Sequence, residues 1–412
     1  MNHFKNTILF SIERLLRAGL GFVVSIMITK AYGVEVYGEY AYYFAIINIL
    51  GVALSLGLDD YFVKCAAESH KVPIKLLYIR IVLNSLSFIF CGFVLYWKKA
   101  GVEFWLLSLL SLTYIWNCFY LLLIVLDRPN KHKSILTLIT INLLFLILKF
   151  LLINYGFIVF IVITLIETLT VTVFLYISIR CVFHIEDINL YRIKGVFKIS
   201  IPVGISSLSI MLFYRLDQMI VEHYMGVKAL GIYALSASMI LAAGYLQSTY
   251  VTGMYSSIGA AKNNTDQRDM HKVLLKAYRG AICIGIIVYI GYITVGRIII
   301  KHIFNEISFD LISLLDIGMI SILFSGLTAI NSQYLFVQGY SSKRLLRTLI
   351  CLLFNISWNI ILIPKFGIMT AVWGYVITQI IMGVLFNIFD KVTRQLFILQ
   401  FKSLFIYRVN NT

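Results

Sequence analysis

From residue 7 to residue 389 the chain is a succession of apolar runs of about 20 residues, separated by short clusters of charged and turn-forming residues. About 20 helical residues, at ~1.5 Å rise each, match the ~30 Å hydrocarbon core of a bilayer. The runs cover residues 7–29, 40–57, 74–97, 104–126, 135–153 and 157–179, then 199–221, 229–253, 277–300, 311–332, 345–363 and 368–389. That pattern predicts an all-α polytopic membrane protein with twelve transmembrane helices. The four prolines, Pro73, Pro129, Pro202 and Pro364, all fall in loops or at run ends, where a missing N–H costs least. With 60% of the 412 residues hydrophobic and only 13% charged, against about 25% charged in soluble domains, no soluble domain of ordinary size fits beside the spans. The longest polar stretch, about 255–279, is far below the ~50 residues that a separate domain needs.

The net charge of +16 would raise nucleic acid as a partner in a soluble chain, but the loops account for it. Twelve spans divide the Lys and Arg residues into 24 on the side of both termini, 7 on the other side and 4 within spans. Cytoplasmic loops are enriched in Lys and Arg, so both termini are expected in the cytoplasm and nucleic acid is not. One span more or fewer would scramble this bias. The six cysteines are widely spaced, mostly in or beside apolar runs and without metal-ligand spacing, and read as small buried hydrophobes. No phosphate loop, H-E-x-x-H or G-x-S-x-G motif is present; no metal, cofactor or catalytic residue is expected.

Two internal similarities point to duplication. Gly33-Val34-x-x-x-Gly38-x-Tyr40-Ala41 returns as Gly226-Val227-x-x-x-Gly231-x-Tyr233-Ala234, 193 residues later. Thr137-Leu138-Ile139 and Gly156 return as Thr348-Leu349-Ile350 and Gly367, 211 residues later. Together they pair spans one to six with seven to twelve in the same orientation, the parallel repeat of transporters about an axis normal to the membrane. The expected organisation is a six-helix bundle over 1–190, a second over 191–390 with a central cavity between them, and a cytoplasmic amphipathic tail over 391–412.

An ionisable residue inside a span costs ~2.5–3.5 kcal/mol on insertion scales, which makes each a functional candidate. The set is Glu13, Arg14, Arg17, Lys149, Glu167, Arg215, Asp217 and Asp316. Arg14 and Arg17 read either as a cationic wall for an anionic group or, since Glu13 lies four residues before Arg17, as part of an internal ion pair. Arg215 and Asp217 are two apart and point to nearly opposite sides of their helix, so Arg215 is the better candidate for an anionic ligand. Lys149 could snorkel outward, Asp217, Glu167 and Asp316 could carry protons in a coupled cycle, and for Asp316 a solvated helix end is the favoured reading. Tyr32, Tyr37, Tyr40, Tyr42 and Tyr43 read as an interfacial belt. Asn142, Asn331, Asn355 and Asn359 read as cavity lining or as hydrogen bonds between helices.

The segment 32–43, the run Ser55-Leu56-Gly57-Leu58-Asp59-Asp60-Tyr61 to Lys64, the run Phe213-Tyr214-Arg215-Leu216-Asp217 followed by Gly231-Ile232-Tyr233, and Ile363-Pro364-Lys365-Phe366-Gly367-Ile368 resemble Wzx-type polysaccharide flippases of the multidrug, oligosaccharidyl-lipid and polysaccharide exporter superfamily. The resemblance extends over all twelve spans and rests on loose, mostly structural motifs. It implies an inner-membrane protein that moves an undecaprenyl-pyrophosphate-linked oligosaccharide, for O-antigen or capsule, from the cytoplasmic to the periplasmic leaflet by alternating access. On that resemblance Arg14, Arg17 and Arg215 are counterparts of cationic cavity residues for the pyrophosphate, with Lys149 a weaker candidate. It implies the lipid-linked oligosaccharide, membrane lipid, and a polysaccharide polymerase with its chain-length regulator as partners. Two rivals stand beside this reading: a cation-coupled multidrug or small-molecule antiporter of the same superfamily, and an O-antigen polymerase. The polymerase class generally keeps large periplasmic loops, whereas the longest outer loop here is about 301–310.

Overall fold

The structure, a computed structural model, describes residues 2–69, 72–125, 131–184, 190–263, 267–304 and 307–404. Pro129 in the loop after the fourth run, and the end of the tail beyond residue 404, lie outside the described residues.

The chain forms two compact units, residues 1–219 and 220–412, so packing divides it later than the 190/191 boundary drawn from the repeat. In the first unit α1 (Asn2–Tyr32), α2 (Val34–Ala53) and the short α3 (Leu58–Ser69) precede α4 (Ile74–Trp97). A broken helix follows, in the pieces α5 (Val102–Ser108), α6 (Leu110–Thr113) and α7 (Trp116–Val125), then α8 (Lys131–Leu152) and α9 (Phe157–Ile179). Two two-residue strands, β1 (Val72–Pro73) and β2 (Phe183–His184), pair in parallel. The long α10 (Leu190–Asn263) contributes its part through Met219 to the first unit and the rest to the second. The second unit continues with α11 (Gln267–Gly291), a π-helical segment Tyr292–Gly296, α12 (Arg297–Ile303), α13 (Ser308–Gly318) and α14 (Ile320–Val337). It ends with α15 (Ser341–Phe366), α16 (Met369–Ile380), a second π segment Ile381–Leu385, α17 (Phe386–Phe389) and α18 (Arg394–Leu404).

Ten helices among the described residues are long and apolar enough to cross a membrane, eleven if the bent pair Val34–Ala53 with Leu58–Ala66 is one span. One of the ten, Lys194–Lys262, is 69 residues long, about 100 Å at ~1.5 Å per residue and therefore too long for a single hydrocarbon core. It is broken at Gly226, whose φ of 80° and ψ of 177° are non-helical, between the runs at 199–221 and 229–253. Counted as two spans, and with the bent pair counted as one, it brings the total to the expected twelve.

The glycines of both internal similarities share one backbone state. Gly33 and Gly226 have φ of 93° and 80°, and Gly156 and Gly367 have 110° and 77°, each with ψ within about 20° of 180°. That region is essentially closed to residues with a Cβ, so each pair marks the same sharp corner in the two halves.

Helix α4 is inside-out relative to a soluble helix. Arg80, Asn84, Ser87 and Cys91 are buried at helical spacing while Ile89, Phe93 and Trp97 are 62%, 64% and 76% exposed. In lipid there is no gain in turning aromatic rings inward, and the polar groups are the ones that need protein partners. The core of the first unit joins α3, α4, α7, α8 and α9 through Leu58, Phe62, Leu76, Leu123, Leu138 and Leu175. In the second, α18 packs Leu396 and Leu399 against Leu274 and Tyr278 of α11.

Several expectations change. Tyr37, Tyr42 and Tyr43 are buried rather than set in a belt, and Tyr32 donates from its hydroxyl to the Ile153 carbonyl at 2.5 Å while packing edge-on to Phe157. Tyr43 packs 4.8 Å from the Phe104 ring and Tyr42 lies 5.1 Å from the Lys98 ammonium, so these rings serve as packing residues. Cys181 and Cys283 are exposed and Cys65 is intermediate, so only Cys91, Cys118 and Cys351 are buried hydrophobes. One face of the tail helix α18, with Leu396, Leu399, Gln400 and Ser403, is buried in protein.

Candidate substrate cavity

Within the first unit, α1, α2, α6 to α9 and the turn before α7 enclose a cavity of about 270 Å³. Its lining includes Glu13, Arg17, Lys149 and Glu167, set among apolar and aromatic side chains. These four resolve into two ion pairs. Arg17 Nη2 lies 2.6 Å from Glu13 Oε1 and donates to Oε2 at 2.7 Å. Glu13 is 2% exposed and accepts a further hydrogen bond from the Tyr120 hydroxyl at 2.5 Å. The Arg17 guanidinium lies 4.0 Å from the Tyr120 ring centroid and 5.2 Å from that of Trp116, so two aromatic faces and a carboxylate hold it in place. Of the two readings of Glu13 and Arg17, the structure realises the pair, as the four-residue spacing allows.

Lys149 on α8 does not snorkel. It is buried, its Nζ lies 2.5 Å from Glu167 Oε2 on α9, and it sits 5.4 Å from the Phe160 ring. Lys149 and Glu167, read separately as an anion ligand and an ion-coupling group, are therefore one pair. Arg14 is exposed, does not line the cavity, and forms no ion pair among the described residues.

Arg215 is placed by two facing glycines. A Cβ on Gly57 would lie 2.1 Å from the Ser200 carbonyl oxygen, and one on Gly204 would lie 2.6 Å from the Gly57 nitrogen. Only glycines let the start of α10 approach the turn before α3 this closely. Farther along α10, the Arg215 guanidinium rests 5.7 Å from the ring of Phe44, whose side chain lines the cavity. Among the described residues Arg215 forms no ion pair. Asp217 is buried and accepts the Gln218 backbone N–H at 2.7 Å.

Of the four asparagines, Asn142 lines the cavity. Asn331 and the pair Asn359–Asn355 instead make buried hydrogen bonds in the second unit. Asp316 is not simply a solvated end: it lies 2.7 Å from Arg297 Nη2 and accepts the Tyr292 hydroxyl at 2.6 Å.

Two groups escaped the sequence reading. Arg80, counted with the cytoplasmic loop charges, is fully buried, donates to Asp59 Oδ1 at 2.8 Å and also bonds Asn84. Arg347 is buried among Asn387, Asp390 and Thr393, donating to the Thr393 hydroxyl at 2.6 Å. The signal available was the charge of each residue inside a helical run, four residues before Asn84 in the first case and eight before Asn355 in the second.

Apolar helices around an ion-bearing cavity define a polytopic helical membrane protein, and known structures share its fold. The fold is similar to that of the lipid II flippase MurJ in an inward closed conformation, with TM-score 0.71 and 19% identity over 96% of this chain and 91% of that one. It is also similar to an inward-facing multidrug resistance MATE family transporter of the MOP superfamily, with TM-score 0.67 and 14% identity over 95% and 96% of the two chains. A MOP superfamily transporter from Pyrococcus furiosus matches at TM-score 0.60 and 14% identity over 97% and 95%. A comparison of the whole sequence with curated proteins returns no match. The sequence model of the polysaccharide biosynthesis protein family matches residues 32–307, and the chain belongs to that family.

Proposed function

We propose that this chain is a flippase of the inner membrane, with both termini cytoplasmic, that carries an undecaprenyl-pyrophosphate-linked oligosaccharide from the cytoplasmic to the periplasmic leaflet by alternating access. The observation that carries the reading is an ion-bearing, aromatic-walled cavity among membrane-spanning helices in a member of a polysaccharide biosynthesis family. A charged head group cannot cross hydrocarbon unaided, while a polar cavity in the protein gives it partners as its lipid tail stays in the bilayer. The pyrophosphate is assigned to Arg215, with Arg14, which also forms no ion pair among the described residues, as a second cation. Arg17 and Lys149, proposed with them on sequence grounds, serve through their fixed pairs as wall residues. Glu167 and Asp217 remain the acidic groups proposed for ion coupling, and the polymerase and its chain-length regulator the proposed protein partners.

The test is the glycan profile of a deletion strain. Loss of surface glycan with complete lipid-linked repeats accumulating on the cytoplasmic side supports the flippase. Single unpolymerised repeats displayed outside would make the chain a polymerase, hence an enzyme. An unchanged profile, with drug resistance on overexpression, would make it a small-molecule antiporter. Arg215→Ala is expected to reproduce the deletion profile with the protein still in the membrane.

A further inference from the structure

We propose that the cavity of the first unit is a carbohydrate subsite, holding the first sugars of the head group while the pyrophosphate lies at its edge on Arg215; the proposal rests on the flippase reading. Four ionised side chains line the cavity, but they sum to no net charge. Glu13 and Arg17 stand 2.6 Å apart, and Lys149 and Glu167 2.5 Å. An anion brought between two such pairs meets as much repulsion as attraction, and taking either cation away would strand a carboxylate in a low-dielectric wall. This is poor chemistry for a pyrophosphate.

What the cavity offers instead suits a ring of hydroxyl groups. Tyr40, Tyr114 and Asn142 line it and make no side-chain hydrogen bond among the described residues. A phenolic hydroxyl both donates and accepts, and a carboxamide supplies two donors and a separate acceptor; sugar hydroxyls need this mixture. The lining between them is aromatic, with Phe44, Trp116 and Tyr120 beside Tyr40 and Tyr114. Such rings give the apolar C–H face of a pyranose a flat surface whose negative face favours polarised C–H groups. At about 270 Å³ the cavity is slightly below the ~300–1,000 Å³ of sites for drug-sized ligands, enough for one end of a head group and not for a whole repeat. Arg215 lies over Phe44, a lining residue, at 5.7 Å. It supplies positive charge where the sugar ends and the phosphates begin.

The experiment uses full-length protein in nanodiscs and two ligands, the lipid-linked repeat unit extracted from the producing cells and undecaprenyl pyrophosphate without sugar. Tyr114→Phe removes only a hydroxyl, and Asn142→Ala only an amide. Each is expected to weaken binding of the repeat unit about tenfold, the size of one good hydrogen bond, and to change binding of the sugar-free carrier less than twofold. Arg215→Ala should weaken both ligands. Equal weakening of both ligands by Tyr114→Phe and Asn142→Ala would overturn the proposal in favour of a phosphate subsite, and unchanged binding of the repeat unit would overturn it outright. Wild-type protein that binds neither ligand would overturn the flippase reading itself.

Discussion

The pairing of Arg17 with Glu13 was one of two outcomes that spacing allowed, and burial decided between them. Glu13 is 2% exposed, and a carboxylate so far from water must keep its cation or lose several kcal/mol. Arg17→Ala should therefore cost about 3–5 kcal/mol, seen as a lower melting temperature in detergent and less protein in the membrane. Glu13→Gln with Arg17→Ala should recover most of it, since no charge is left stranded; a double variant as unstable as Arg17→Ala would show that the stacking of Arg17 on Tyr120 matters more than the charge. The same reasoning applies to Arg80 and Asp59, separated by 21 residues. Asp59→Ala is expected to be as damaging as Arg80→Ala, because either strands the other. The composition of the runs identified which residues carry charge within the membrane. It could not give their azimuth, so Lys149 and Glu167, on different helices, were legible as candidates and not as partners.

At the scale of elements the corners were the most legible feature, because a glycine conformation leaves the same residue in both halves of a repeat. Gly33→Ala and Gly226→Ala should each cost about 1–3 kcal/mol, although a Cβ at either position meets nothing within 4 Å. Gly244→Ala, in open space without a positive φ, is the control and should be neutral or stabilising. Equal melting temperatures for all three variants would contradict the backbone argument. The seat of α18 was not legible. Its Gln400 donates to the Gly383 carbonyl at 2.9 Å and to Asn331 Oδ1 at 3.1 Å, and Gly383 belongs to a π segment whose altered hydrogen-bond register no hydropathy pattern records. The turn before α18 carries a titratable anchor. Burial works to raise the Asp390 carboxyl, but hydrogen bonds from Lys343, the Val392 N–H and Arg347 outweigh it and hold the group below its ordinary value. A carboxylate depressed in the folded state stabilises fully above the unfolded value of ~3.9 and loses that contribution as pH falls through the folded one. The melting temperature of the wild type is expected to fall below about pH 4, and Asp390→Asn should flatten that part of the profile while lowering stability at neutral pH.

For the whole molecule the charge bias that supports twelve spans also predicts the orientation of the chain, and it survives the structural correction. Arg80 and Arg347 are buried in ion pairs and should not count as loop charges. Removing both leaves 22 Lys and Arg on the side of the termini against 7 on the other. The rule concerns residues near the ends of spans, and no single buried pair can reverse such a difference. Lys99, between the third and fourth runs, and Ser341, between the tenth and eleventh, are both exposed and belong to opposite sets. In a variant with its native cysteines replaced, Lys99→Cys should react with a membrane-impermeant maleimide in intact spheroplasts, and Ser341→Cys only after permeabilisation. The reverse pattern would turn the protein over in the membrane. The cytoplasmic face would then be the one poor in Lys and Arg, and a head group synthesised in the cytoplasm would meet the other end of the cavity first.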